Sequence, residues 1–129
     1  WTSGINQSAL NFNGTDGEVK IPLNSTLNIV NDKMSLSVWF KKDYVKDDGS
    51  FLFCRTKYIL RMDNHGKITF AIYNPGWHAI TIPWANRIID TDWHHVVATY
   101  DGQKIKLYID AVLLAERSTS GKLKTTSSP

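Results

Sequence analysis

The feature that most constrains this chain is a hydrophobic period of two, repeated in short runs. Ser35-Leu36-Ser37-Val38-Trp39-Phe40 alternates polar and apolar residues and ends in Lys41-Lys42. Lys67 to Tyr73 alternates again, with Ile68, Phe70 and Ile72 on one face. Lys104 to Ile109 does the same with Ile105, Leu107 and Ile109. A period of two puts alternate side chains on opposite sides of a strand, so each run predicts a strand with one buried face. No segment longer than a turn or two carries the 3.6-residue helical period.

Turn signals separate the runs. Asp63-Asn64-His65-Gly66 lies between Tyr58-Ile59-Leu60-Arg61-Met62 and the run that starts at Lys67, which predicts a β-hairpin. Asn74-Pro75-Gly76 ends that run. A short strand is expected from Ala79 to Pro83, and the proline confines it to an edge. Phe51 to Cys54 is a further short apolar run. The strongest strand is Trp93-His94-His95-Val96-Val97-Ala98-Thr99-Tyr100. Its continuous Val96-Val97-Ala98 run predicts a central strand covered on both faces. Asp101-Gly102 and Asp110-Ala111 read as hairpin turns, and Val112 to Glu116 as a last strand. Residues 118–129 are polar and read as a loop or linker.

Composition agrees. Ten aspartates stand against two glutamates, Glu18 and Glu116, and Asp favours turns where Glu favours helices. With 129 residues the chain suits one domain. It lacks the 18 or so consecutive apolar residues of a spanning helix, so no membrane insertion is expected. The net charge of +3 comes without a basic cluster and gives no reason to expect nucleic acid. Cys54 stands alone, so no internal disulfide forms, which fits a reducing compartment and equally a secreted protein built without disulfides. Asn6, Asn13 and Asn24 each begin an N-x-[ST] sequon, a candidate for glycosylation. An opening at Trp1, without an initiator Met, reads as a processed or excised piece.

Strands recurring every 8–12 residues with turns between them predict an all-β sandwich or jelly roll. The residues also carry a family likeness. Leu10-Asn11-Phe12-Asn13-Gly14 through Val19-Lys20-Ile21-Pro22 resembles the opening strands of a laminin-G-like domain of the concanavalin A-like lectin/glucanase superfamily. Met34 to Phe40 is similar to a tryptophan-bearing strand of that family. Asp92-Trp93-His94-His95-Val96-Val97-Ala98-Thr99-Tyr100-Asp101-Gly102 resembles its most specific motif, and Leu107-Tyr108-Ile109-Asp110 the segment that follows. The resemblance implies a concanavalin A-like jelly roll of two antiparallel sheets across residues 1–129.

Two positions depart from the family pattern. Ala111 stands where the family usually has Gly, so the turn there is either strained or of another type. The family's closing strand, which pairs near Leu10 to Phe12, has no counterpart before Pro129. The expectation is therefore either a fragment of a longer chain or a sheet completed by a strand from another chain.

Several groups invite a chemical reading. His94 and His95 are adjacent on a strand and point to opposite faces, so they cannot ligate one ion together. Trp93 and His95 are expected to be structural. Glycoside hydrolysis needs two acids about 5–10 Å apart. The nearest acids, Asp90 and Asp92, precede Trp93 in a loop, and no nucleophile triad or phosphate loop is visible, so no catalytic residue is assigned. The family resemblance raises a calcium ion, with Asp16 as the best candidate ligand and Asp47-Asp48 as a second. Solvated turn acids are the simpler account of all three.

The most suggestive feature is aromatic. Tyr73, Trp77, His78, Trp84 and Arg87 surround one short strand. Sugar rings stack their C–H faces on exposed aromatics, and amide or guanidinium groups orient the hydroxyls. These five are the candidate ligand-binding residues, with a glycan or polysaccharide as partner. The competing account is that Trp77 and Trp84 plug the sandwich or a subunit interface. The expected function is non-catalytic recognition at an extracellular or cell-surface location. The alternative is a structural domain of an extracellular assembly, joined by strand or subunit pairing.

Overall fold

The computed structural model describes residues 1–22, 24, 25, 29, 32–43 and 49–123. The expected Asp47-Asp48 site lies outside these residues. The strands are β1 (Thr2–Ser3), β2 (Ser8–Ala9), β3 (Met34–Phe40), β4 (Ser50–Arg55), β5 (Tyr58–Met62), β6 (Ile68–Tyr73), β7 (Trp77–Thr81), β8 (His94–Tyr100), β9 (Lys104–Ile109) and β10 (Val112–Ser118). Among the described residues β1 and β2 pair only with each other. The rest form two antiparallel four-stranded sheets, ordered β10-β9-β8-β3 and β4-β5-β6-β7. The architecture is the all-β sandwich expected for a concanavalin A-like jelly roll.

The alternation decides what lies between the sheets. From β6 come Ile68, Phe70 and Ile72, all fully buried. From the opposing sheet come Val96, Ala98 and Tyr100 of β8 and Ile105 and Leu107 of β9, in the same apolar cluster. The β5–β6 hairpin forms in the expected register, Leu60 opposite Phe70. Its turn is tied by the Asp63 side chain, which accepts from the His65 and Lys67 N–H groups at 2.9 Å each.

β8 departs from expectation on one side. Val96 and Ala98 face inward, whereas Val97 is only half-buried on the outer face. Among the described residues no further layer covers that face, so the apolar run is protected on one side only. Outside the core, Trp39 of β3 stacks on His95 at 4.8 Å, and His95 Nε2 lies 2.8 Å from Ser37 Oγ. His95 thus braces the strand surface, a structural role as expected.

The opening of the chain differs more. Residues 10–22 form no strand. Asn13 Oδ1 instead accepts from the N–H groups of Thr15, Asp16 and Gly17, an Asx-type loop. Leu10, Phe12, Val19 and Ile21 are exposed. Alternation alone does not make a strand, because the backbone N–H and C=O groups also need a partner strand. Among the described residues β3 has one hydrogen-bonded neighbour, β8.

The stretch after β10 also differs. β10 runs to Ser118, and the chain then docks rather than trailing away. Thr119 N–H donates to Gln103 O at 2.9 Å, and Leu123 is buried. Asn74, itself buried, donates from Nδ2 to Ser120 O at 2.9 Å and to the Tyr100 hydroxyl at 3.3 Å. That hydroxyl donates onward to Gly121 O. Gly121 has φ 125°, and a Cβ there would lie 2.7 Å from Asn74 Oδ1. The sequence reading missed this anchor because its donors and acceptors come from three separate segments.

The Asp110-Ala111 turn resolves one open question. Both residues have positive φ, 49° and 69°, as a type I′ turn requires. Ala111 is therefore strained and exposed. Ala111→Gly should raise stability by roughly 0.5–1 kcal/mol, since relief of the left-handed penalty exceeds the extra unfolded-state entropy of Gly. Chemical denaturation of the two proteins checks this, and an unchanged or lower midpoint would contradict the strain.

Candidate functional site

β7, an edge strand among the described residues, carries two of the expected site residues, Trp77 and His78. Trp77, Ala79 and Thr81 point outward from it. Trp77 sits opposite Tyr73 of β6, with ring centroids 5.5 Å apart in an edge-on arrangement. The indole is 47% exposed. The preceding turn closes through Asn74 N–H donating to Gly76 O at 2.8 Å, with Gly76 at φ 96°. His78 points the other way and is half-buried, with its Nε2 2.9 Å from Asn74 O. It therefore braces the turn from inside and does not share the outward face of Trp77.

Trp84 belongs to a second cluster at the other end of the strand. Ile82 N–H donates to Ile68 O at 3.0 Å, so β7 stays paired along the whole of β6. Trp84 lies seven positions after Trp77 along a mostly extended chain, which places the two on the order of 20 Å apart. The single cluster read from the sequence is thus two. Proximity in sequence misled because an extended strand carries its ends apart.

The second cluster is built on a close backbone contact. Ile88 N–H donates to Gly66 O at 2.7 Å, and a Cβ on Gly66 would fall 2.0 Å from Ile88 O. Lys42 Nζ also donates to Ile88 O. Between the buried Ile82 and Ile88 the chain makes one 3-10 turn, Trp84–Asn86, which lifts Trp84 to 54% exposure. Arg87 lies over the indole at 4.6 Å and donates from Nη1 to Trp84 O at 3.2 Å. His65 lies 5.4 Å from the ring and Lys67 Nζ 5.7 Å. His65 and Lys67 escaped the sequence reading. The signal that finds them is the β6–β7 register, which brings the hairpin turn beside the residues that follow β7.

His94 makes a third arrangement. Its Nδ1 lies 2.7 Å from Asp110 Oδ2 and its Nε2 2.8 Å from Asp90 Oδ1. Ionised carboxylates only accept, so the arrangement is fully satisfied when both ring nitrogens carry hydrogen, as in the imidazolium. Burial pulls the His94 pKa down, but the bonds to Asp90 and Asp110 outweigh it and leave it above 6.5. The hydrogen bond from His94 is the main cause of the lowered Asp90 pKa. For Asp110, burial acts upward and is overcome by the His95 N–H and His94. This bridge ties the loop before β8 to the β9–β10 turn.

The carboxyls displaced from their ordinary range, Asp63, Asp90, Asp101 and Asp110, all move down, held there by the hydrogen bonds they accept. Glu18 pairs with Lys20 at 3.0 Å and Glu116 with Lys104 at 3.5 Å, all near the surface. Asp16 accepts from Asn13 Nδ2 at 2.6 Å. No three His, Cys, Asp or Glu side chains among the described residues are grouped so as to hold a metal ion. Among the described residues no helix is long and apolar enough to cross a membrane.

Two facing antiparallel sheets make a β-sandwich that presents one indole on its edge strand β7 and another in the turn that follows. Residues 13–129 match the laminin-G-type family described as the concanavalin A-like lectin/glucanases superfamily, and the chain belongs to that family. No curated protein sequence matches it significantly. The fold is similar to the CBM40 module of the Ruminococcus gnavus IT-sialidase (TM-score 0.53, 14% identity, covering 73% of this chain and 56% of that one). The same module solved with alpha2,6 sialyllactose bound gives TM-score 0.51 and 14% identity, covering 68% and 55%. A structure titled the HCR/D W1238A mutant gives TM-score 0.57 and 17% identity, covering 80% of this chain and 29% of that one. The chain thus spans about half the length of the CBM40 module and less of the other.

The His94 bridge predicts a pH dependence. Because the folded His94 pKa is raised, its contribution to stability is complete below pH 6.5 and is lost as pH rises through the raised value. The lowered Asp90 and Asp110 contribute above 3.8 and lose that contribution as pH falls through their depressed values. NMR titration of the His94 ring should give a midpoint above 6.5. His94→Gln should flatten the loss of thermal stability between mildly acidic and alkaline pH. A His94 midpoint at or below the ordinary value would break the bridge as described.

Proposed function

We propose that this domain is a non-catalytic carbohydrate-recognition module acting outside the cell. The observation that carries the reading is the pair of half-exposed indoles, Trp77 on the edge strand and Trp84 in the 3-10 turn that follows it, each held by neighbouring side chains. A large ring that is already ordered loses little conformational entropy when a sugar stacks on it. Tyr73 orders Trp77, and Arg87 with the 3-10 turn orders Trp84. Of the five residues expected at the site, Tyr73, Trp77, Trp84 and Arg87 serve as ligand contacts in this reading, and His78 as their support. The similarity to a sialidase module solved with sialyllactose supports the class of ligand.

A second reading, an assembly domain joined by strand or subunit pairing, is favoured by a different observation. β3 has one paired neighbour among the described residues, and Leu10, Phe12, Val19 and Ile21 stand exposed in the segment before it. Exposed apolar residues and an unpaired strand edge together invite association.

A glycan array followed by titration of the bound glycan tests the first reading. Replacing the contacting tryptophan, Trp77→Ala or Trp84→Ala, should weaken binding at least tenfold, or about 1.4 kcal/mol, with the fold intact. Absence of any glycan binding, together with concentration-dependent association in light scattering, would favour the assembly reading.

A further inference from the structure

The Trp84 cluster differs in charge from the Trp77 cluster. Around Trp77 the ring neighbour is Tyr73, a neutral aromatic. Around Trp84 stand two cations, the Arg87 guanidinium at 4.6 Å and the Lys67 ammonium at 5.7 Å from the ring. The Lys67 charge is shared with Asp63, 3.6 Å away. Arg87 makes no ion pair among the described residues. A guanidinium held beside an exposed ring, by a bond to the carbonyl of that ring's own residue, is fixed in place while its fork remains available to a second partner.

A neutral sugar could use the indole but would leave that guanidinium without an anion. A saccharide with a carboxylate or sulfate group uses both. Its ring stacks on the aromatic surface while its anionic oxygens meet the planar fork of Arg87, with Lys67 adding attraction. The cradle is preformed, because Gly66 and Ile88 lock the hairpin turn against the segment that carries Trp84 and Arg87.

We infer that Trp84, Arg87 and Lys67 form a subsite for an anionic saccharide, one bearing a carboxylate or a sulfate ester. The inference rests on the carbohydrate-binding reading and narrows it to one charge class and one of the two clusters. Trp84 supplies the stacking surface, Arg87 the charge-assisted hydrogen bonds, and Lys67 the attraction at longer range. Asn86, exposed in the same turn, faces solvent beside them.

Calorimetric titration with matched pairs tests it: lactose against sialyllactose for the carboxylate, and dextran against dextran sulfate for the sulfate ester. At least one charged member should bind tenfold or more tightly than its neutral partner, and which pair shows the difference identifies the anion. Arg87→Gln should erase that difference, Arg87→Lys should restore part of it, and Trp84→Ala should weaken the charged member at least tenfold. Lys104→Gln, on the opposite sheet, should leave it unchanged. Melting curves confirm that each variant is folded. Equal affinity within both pairs, or loss on Trp77→Ala but not on Trp84→Ala, overturns the inference while leaving carbohydrate binding in place. Equal weakening by Lys104→Gln and Arg87→Gln also overturns it, since that pattern reports diffuse attraction to a basic surface. No binding to any of the four probes or to a glycan array overturns both readings.

Discussion

The structure depends on one facing of apolar stripes. Ile68, Phe70 and Ile72 from one sheet share a core with Val96, Ala98 and Tyr100 and with Ile105 and Leu107 from the other. A shift of one residue in any of these strands would turn its whole stripe toward water, so the core fixes the registers. The registers in turn fix where the connections emerge. The hairpin turn at Asp63 to Gly66 and the segment after β7 come out at the same end of the sandwich because β6 and β7 are paired along their full length. That coincidence brings His65 and Lys67 to Trp84.

This dependence explains why the sheets were legible in the sequence and the site only in part. Alternation and turn chemistry are local, and they located the β5–β6 hairpin, β8, β9 and the Asp110-Ala111 turn. Position along the chain is a poor guide to distance on an extended strand. It joined Trp77 and Trp84, which the strand holds apart, and overlooked His65 and Lys67, which it brings to Trp84. His78 shares the aromatic stretch of sequence with Trp77, yet strand alternation turns it inward. The Leu10 to Phe12 run has the pattern of a strand, but alternation says nothing about whether a partner is present. The anchor after β10 was invisible for a similar reason, since it depends on Asn74, Tyr100 and Gly121 meeting in space.

The two aromatic clusters also show how a shared scaffold can separate roles. Both lie at β7, and both expose about half of an indole. One is backed by a neutral ring and the other by cations. The difference comes from what stands beside each end of the strand, a chain reversal at Asn74 to Gly76 on one side and the Asp63 hairpin turn on the other. The sandwich can therefore keep its core while the loops at each end set the chemistry that is presented.

The anchor formed by Asn74, Tyr100 and the segment at Ser120 and Gly121 has a mechanical consequence. An edge strand pulled from its end normally peels away one hydrogen bond at a time, like a zip. Here tension applied beyond Leu123 would first meet Asn74 and Tyr100, which grip the chain from two different sheets. Those bonds lie beyond the end of β10, so a pull from that side must break them before β10 can begin to peel from β9. A module tethered through this segment would resist extension as a clasp does, and would transmit force to the centre of the sandwich before yielding at its edge.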